Sequence, residues 1–331
     1  MRILITGGSG FIGAYLIDEL SKINKCQIVN LDIVEPTDKI HYPFWKRIDI
    51  LNKEKVIEVF QEFQPDCIVH LAARTDTDPQ NVMKDYIVNT EGTVNVLSAI
   101  KACPTINRVV ITSTQFVHQQ GGMPEHDEDY APHTVYGESK VITEKLTREA
   151  NLHCCWTIIR PTNIWGPRHP RYPKEFWRVL KMGHYFHPGK KPVIRSYGYV
   201  GTVADQILQI LTKDVNEMNK QVLYVGEAPI NLYDWVNGFS LALTGKNIRV
   251  VPRSAVKVLA LVGDVLSALR LKFPITSSRF KSMTEDNPVV MEKTFKLLGN
   301  PKYSLEQGIT ETVVWLKSQS EFWDTDNNGN V

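Results

Sequence analysis

Tyr136 and Lys140 stand four residues apart in Val135-Tyr-Gly-Glu-Ser-Lys-Val-Ile, a segment that reads as the start of a helix, so the two side chains share one face. A phenol ordinarily loses its proton near pH ~10. An ammonium beside it, together with a positive nicotinamide ring, would lower that value and let Tyr136 act as a general base near neutrality. Such a pair also arises by chance on helix surfaces, and a second pattern upstream is what gives it weight. Gly7-Gly-Ser-Gly10-Phe11-Ile12-Gly13 follows a strand-like run and opens a helix-like one, the context a phosphate-cradling turn requires. Glycines there permit a tight turn and bring a pyrophosphate close to a helix N-terminus.

Asp32 lies 19 residues after Gly13, at the end of the next apolar run. A carboxylate there can accept hydrogen bonds from an adenosine ribose and would repel a 2′-phosphate, so NAD is expected rather than NADP. Capping of the following turn is the alternative role for Asp32, and the two can coexist. The run Val109-Val-Ile-Thr-Ser-Thr114 is an apolar strand ending in hydroxyls, and ligands of a parallel sheet bind at the carboxyl ends of strands. Thr114 is placed to hydrogen-bond a substrate hydroxyl, with Thr112 and Ser113 read as structural. No metal ligand set is assigned.

These residues need a scaffold that gathers strand ends. Apolar runs at Arg2 to Thr6, Gln27 to Leu31, Cys67 to Leu71, Arg108 to Thr112 and Trp156 to Arg160 alternate with amphipathic stretches at Phe11 to Ser21, Lys53 to Phe63, Asp85 to Ala102 and Val135 to Ala150. That alternation predicts an α/β fold: a Rossmann-type, doubly wound parallel sheet with a smaller C-terminal substrate lobe. The expected boundaries are 1–165 for the sheet domain, re-entered around 199–225, with 166–198 and 226–323 forming the substrate lobe and 324–331 a disordered tail. The segment from Ile164 to Pro192, dense in Pro, Gly, His, Arg and aromatics, reads as loops and short helices lining a cleft.

Composition bounds the function. The chain has 331 residues, 43% of them hydrophobic and 22% charged, with a formal net charge of +2, the balance of a soluble globular protein and not of a nucleic-acid binder. Five cysteines without CxxC spacing fit a reduced, cytoplasmic setting. The chain opens at once on a strand pattern, leaving no room for a secretory signal. Ala255 to Leu269 is the longest apolar stretch, but Lys257 and Asp264 interrupt it and it is too short to span a bilayer. Val258, Leu259, Val262, Val265, Leu266 and Leu269 recur there at helical spacing, which predicts a buried helix of the second lobe; a membrane-surface or dimer-contact helix is the alternative.

In order along the chain, Thr6-Gly-Gly-Ser-Gly-Phe-Ile-Gly13, His70-Leu-Ala-Ala73, Asn89-Thr-Glu-Gly-Thr-Val-Asn95, Ser113-Thr-Gln115, Tyr136-Gly-Glu-Ser-Lys140 and Arg160-Pro-Thr-Asn163 resemble the extended short-chain dehydrogenase/reductases, specifically the NAD-dependent epimerase/dehydratase family acting on nucleotide sugars. The resemblance implies that Asp49 and Ile50 contact adenine, that Leu71, Ala72 and Ala73 border the cofactor with Asn89 nearby, and that Lys140 holds the nicotinamide ribose. Tight strand packing is the other reading of Ala72 and Ala73. It further implies that Asn163 and Arg195 hold the diphosphate of a nucleotide-sugar substrate, a task suited to a guanidinium fork. A homodimer built on the Asp85 to Ala102 and Val135 to Ala150 helices is implied as well.

Departures from the family pattern choose among its reactions. Gln115 and Phe116 occupy the places where sugar dehydratases carry an acidic pair, so elimination lacks its acid and base. A decarboxylase is disfavoured likewise. The expected activity is therefore epimerisation, most often at C4, with hydride passing to NAD and back. A ketosugar reductase or hydroxysteroid-type dehydrogenase is the enzyme alternative, and an NAD-sensing regulatory protein the non-enzyme one.

Overall fold

The structure is a computed structural model of the chain, and residues 1–319 apart from 123, 270, 272 and 274 are described. They form two compact units, the first built from Met1–Ile164, Gly198–Glu227 and Val290–Lys302. Its strands are β1 (Arg2–Thr6), β2 (Gln27–Asp32), β3 (Trp45–Arg47), β4 (Cys67–His70), β5 (Arg108–Thr112), β6 (Cys155–Pro161) and a last strand, Gln221–Val225. They lie in one sheet in the order Gln221–Val225, β6, β5, β4, β1, β2, β3, and each pairing is parallel. Crossovers carry α1 (Phe11–Ser21), α2 (Lys53–Phe63), α3 (Ile87–Lys101), α4 (Val135–Glu149) and the helix Val200–Thr212. The strand order turns back between β1 and β4, so their carboxyl ends frame the crevice where ligands of such sheets bind.

Side chains alternate across this sheet and fill both faces. Ile3, Ile5 and Val69 pack with Leu16, Ile17 and Leu20 of α1 and with Val203 and Ile207. Leu4, Ile68, Val109 and Ile111 pack on the other side with Val56 and Phe60 of α2 and Val96 and Ile100 of α3. Burial on both faces is why these strands read as short continuous apolar runs rather than as alternating ones.

The second unit comprises Trp165–Tyr197, Ala228–Val289 and the described residues from Tyr303 on. An aromatic cluster organises it: Tyr197 stacks on Trp235 at 4.3 Å between ring centroids, and Trp165 meets Trp235 and Phe239 edge to face. Trp235 and Phe239 belong to the helix Leu232–Thr244, Asn-capped by Asn231 and ended at Gly245.

Two expectations are corrected. The helix Arg253–Ala268 is not buried: only Val256, Ala260 and Gly263 are, while most of the aliphatics expected in the core face outward. Periodicity locates an apolar stripe but is silent about which stripe meets the core. The stretch 290–302, expected in the second lobe, belongs to the first unit, because Leu298 joins the core under α1 and the Thr294 hydroxyl donates to the Tyr224 carbonyl at 2.6 Å. The tail 324–331 lies outside the described residues. Among the described residues no helix is long and apolar enough to cross a membrane, and the five cysteines form no disulfide.

Candidate active site

The glycine turn joins β1 to α1 at the strand-order reversal. Gly7 has φ +74°, a left-handed conformation, and a Cβ on it would meet the Ala72 nitrogen at 2.5 Å. The turn and the end of β4 are thus in backbone contact, held further by the Leu71 N–H to Thr6 O (2.9 Å) and the Ala72 N–H to Thr6 Oγ1 (3.3 Å). Gly10 is the N-cap of α1 and supplies no side-chain cap, and the first helical turn has no acidic residue. An uncapped N-terminus of an eleven-residue helix, opening beyond a glycine cradle, fits an anionic pyrophosphate. Phe11, Ile12 and Gly13 form its first turn.

Asp32 ends β2 beside the glycine turn. Its Oδ1 accepts from Val34 N at 2.9 Å, the turn-capping bond, and its Oδ2 accepts from Ser9 N at 3.0 Å, tying it to the glycine turn. Burial raises its carboxyl above the usual value, and the amides of Val34, Ser9 and Ile33 oppose that rise. Asn30, buried in the middle of β2, braces the same turn: Gly8 N donates to its Oδ1 at 2.8 Å. Sequence reasoning missed Asn30, although a polar residue inside an apolar strand is itself a signal.

Thr114, Tyr136 and Lys140 are brought together at the carboxyl end of β5. Thr114 caps the short turn Gln115–Val117, and α4 begins hard against that turn. Gly137 makes this approach feasible, since a Cβ there would meet the Phe116 carbonyl oxygen at 2.4 Å. Tyr136 is buried and hydrogen-bonded to Thr114; burial pushes its phenol up to about 12, and the Thr114 bond opposes this without prevailing. Lys140, one turn on and 2% exposed, donates from Nζ to Thr112 O at 2.8 Å. Burial lowers its ammonium to about 8, against the pull of Glu144. The expected depression of the phenol is therefore absent from the chain by itself, because desolvation outweighs every neighbour.

Behind the triad lies a fully paired polar layer. Asn89 is completely buried: its Oδ1 accepts from Arg74 N (2.8 Å) and its Nδ2 donates to Arg74 O (3.0 Å) and Ser139 Oγ (2.9 Å). These bonds make it a strut between α3, α4 and the loop after β4, not a group that reaches a ligand. His70 lies between Thr6 Oγ1 (2.6 Å) and Thr93 Oγ1 (3.2 Å), and burial followed by Lys140 lowers it to about 3, so it is neutral. Arg160 forks onto Glu144, Nε to Oε1 at 2.8 Å and Nη2 to Oε2 at 2.7 Å, and Ser113 Oγ donates to the same carboxylate.

Other expected residues are more dispersed. Ile50 is buried, held through its carbonyl by Asn95 Nδ2 at 3.0 Å, and Asp49 beside it is exposed. Leu71, Ala72 and Ala73 are half-buried at the exit of β4. Asn163 lies at the turn Gln115–Val117, its Oδ1 accepting from Gln115 Nε2 at 3.0 Å. The Gln115 Oε1 is buried without a partner among the described residues. Arg195 belongs to the second unit, where its Nη1 donates to Ser282 O (2.8 Å) and Glu285 O (3.2 Å), closing the end of the helix Ser277–Thr284.

The sequence pattern of the NAD dependent epimerase/dehydratase family matches residues 3–226. The chain is 26% identical to the decarboxylating sterol-4-alpha-carboxylate 3-dehydrogenase of Saccharomyces cerevisiae, over 95% of this chain and 97% of that protein. It is 27% identical to the N-acetyl-alpha-D-glucosaminyl-diphospho-ditrans,octacis-undecaprenol 4-epimerase of Escherichia coli O157:H7, over 94% of each. A UDP-glucose 4-epimerase of Thermotoga maritima, solved with UDP-glucose, matches with a TM-score of 0.73 at 20% identity, covering 96% of this chain and 99% of that one. That structural likeness bears on the fold.

Proposed function

The chain belongs to the NAD dependent epimerase/dehydratase family, and from that premise we propose that it is an NAD-dependent epimerase of a nucleotide sugar, acting at C4 by transient oxidation to a keto-sugar. The observation that carries this reading is the grouping of Thr114, Tyr136 and Lys140 beside Gln115, an amide that can neither donate nor take the proton an elimination needs. Phe116 next to it is equally inert. NAD, when bound, takes up and gives back a hydride. Tyr136 removes the proton of the sugar hydroxyl and later restores it, with Thr114 hydrogen-bonding the same oxygen. Lys140 holds the nicotinamide ribose and supplies positive charge on the Tyr136 side of the site.

Gly7, Gly10, Phe11, Ile12 and Gly13 cradle the cofactor pyrophosphate, Asp32 its adenosine ribose, and Asp49 and Ile50 its adenine. Leu71, Ala72 and Ala73 border it, and Asn89 acts by holding that border in place. Asn163 takes the substrate diphosphate on the first unit. The names of two relatives, a UDP-glucose 4-epimerase and a 4-epimerase of a diphospho-linked N-acetylglucosaminyl lipid, support the C4 reading. A cytoplasmic homodimer joined through α3 and α4 completes it.

The second reading is a dehydrogenase of a ring alcohol, with the same three catalytic residues but release of the cofactor each cycle; similarity to a sterol 3-dehydrogenase favours it. A purely NAD-sensing protein would have no use for Tyr136 and Lys140. Purified protein should interconvert C4 epimers of a UDP-sugar with no cofactor added. Tyr136→Phe should cut turnover by about a thousandfold or more while leaving NAD affinity nearly unchanged. Obligatory consumption of NAD or NADH would instead establish the dehydrogenase.

A further inference from the structure

The helix Arg253–Ala268 docks on its own unit through its smaller side. Val256, Ala260 and Gly263 are buried, and Gly263 lets the chain return so closely that a Cβ there would meet the Ile275 carbonyl oxygen at 1.9 Å. On the opposite side Val258, Leu261, Val262, Val265 and Leu269 follow one another at helical spacing. Val258, Val265 and Leu269 are 60%, 63% and 66% exposed. At the rise of an α-helix this is a continuous aliphatic stripe about 16 Å long, facing water.

Positive charge is concentrated in the stretch of sequence that contains that helix. From Lys246 to Lys281 the sequence holds eight Lys and Arg and one acid, Asp264, a net +7 in a chain whose total is +2, so the remaining residues are net negative by five. Arg253 and Lys257 lie on the helix itself and Arg249 opens the short strand Arg249–Val251 before it, while Arg270 and Lys272 follow it in sequence. The single carboxylate is occupied, its Oδ1 accepting from Ser277 N at 3.0 Å. Lys281 is paired with Glu285 at 3.6 Å, an exposed and weak contact.

We propose that this helix is a docking surface for an anionic lipid bilayer, lying flat with the stripe in the boundary between headgroups and acyl chains while Arg253 and Lys257 reach lipid phosphates. Charge decides the occupant. A second copy of the chain across a two-fold axis would present the same cations to one another. Residues 320–331 carry acids but only Phe322 and Trp323 as large apolar neighbours, too few to cover five aliphatics. The inference is independent of the reaction proposed above.

Flotation of the full chain with vesicles tests it. Binding is expected to vesicles of phosphatidylcholine mixed with phosphatidylglycerol, to weaken as salt is raised, and to be slight for phosphatidylcholine alone. The pairs Val258→Ser with Val265→Ser, and Arg253→Glu with Lys257→Glu, should each weaken binding about tenfold or more, leaving the thermal midpoint and NAD affinity unchanged. The proposal is overturned by absence of vesicle binding, or by binding indifferent to both pairs. It is overturned also if the serine pair turns a dimer into a monomer without any vesicle binding, or if binding appears only after residues 320–331 are deleted.

Discussion

Burial drives the Tyr136 phenol up to about 12 and the Lys140 ammonium down to about 8, so desolvation favours the uncharged form of both partners. In the proposed reaction the phenol would serve as a base only once positive charge is added beside it, which would tie proton transfer to occupation of the cofactor site. The Lys140 shift also carries a stability cost with a defined sign. A lysine held below its ordinary value of 10.5 disfavours the fold fully below about pH 8, and the penalty fades as pH rises from about 8 towards 10.5. Lys140→Met should therefore stabilise the chain at pH 7 by about 2 kcal/mol, after allowing for the lost bond to Thr112 O, while abolishing turnover. Thermal midpoints measured at pH 7 and pH 10 check this: the gain should shrink at the higher pH, and a destabilised variant at pH 7 would count against it. The grouping of Thr114, Tyr136 and Lys140 at one strand end, and of Asp32 beside the glycine turn, was legible because type, spacing and position in a strand or helix coincide there. The direction of the phenol shift was not, since it depends on burial, which the local pattern does not encode.

At the scale of elements, the turn Gln115–Val117 and the end of β5 are held by what lies behind them. Arg160 from β6 and Glu144 from α4 are both essentially inaccessible to water, and Ser113 at the end of β5 joins the same carboxylate. Arg160→Met leaves that carboxylate buried without its paired cation and should cost about 3–5 kcal/mol, seen as a lowered midpoint in urea with an unchanged slope. A loss under about 1 kcal/mol would show that water reaches Glu144. β1, α1, α2 and β5 begin and end where apolar periodicity sets them, because both sheet faces are covered and each run must be apolar. β3 escaped notice because three residues hold too little pattern to be distinguished from a loop. Asn89 carried a family signature whose physical content, a bond across to Ser139, becomes visible only when α3 and α4 are side by side.

Composition over the whole molecule conceals its most uneven feature. A net charge of +2 suggests an evenly mixed surface, yet the segment from Lys246 to Lys281 gathers a strong excess of cations around an exposed aliphatic helix. The return of 290–302 to the first unit was equally hidden, since its signal is long-range packing of Leu298 rather than any local pattern. The central claim about the molecule is that hydride leaves and returns to one carbon without net redox change. It is tested most directly with a UDP-hexose carrying deuterium at C4, incubated with the purified protein and no added cofactor. Hydride transfer and return yields the C4 epimer with deuterium retained at C4 and no accumulating NADH absorbance; a stoichiometric rise in NADH, or product with protium at C4, would rule that chemistry out.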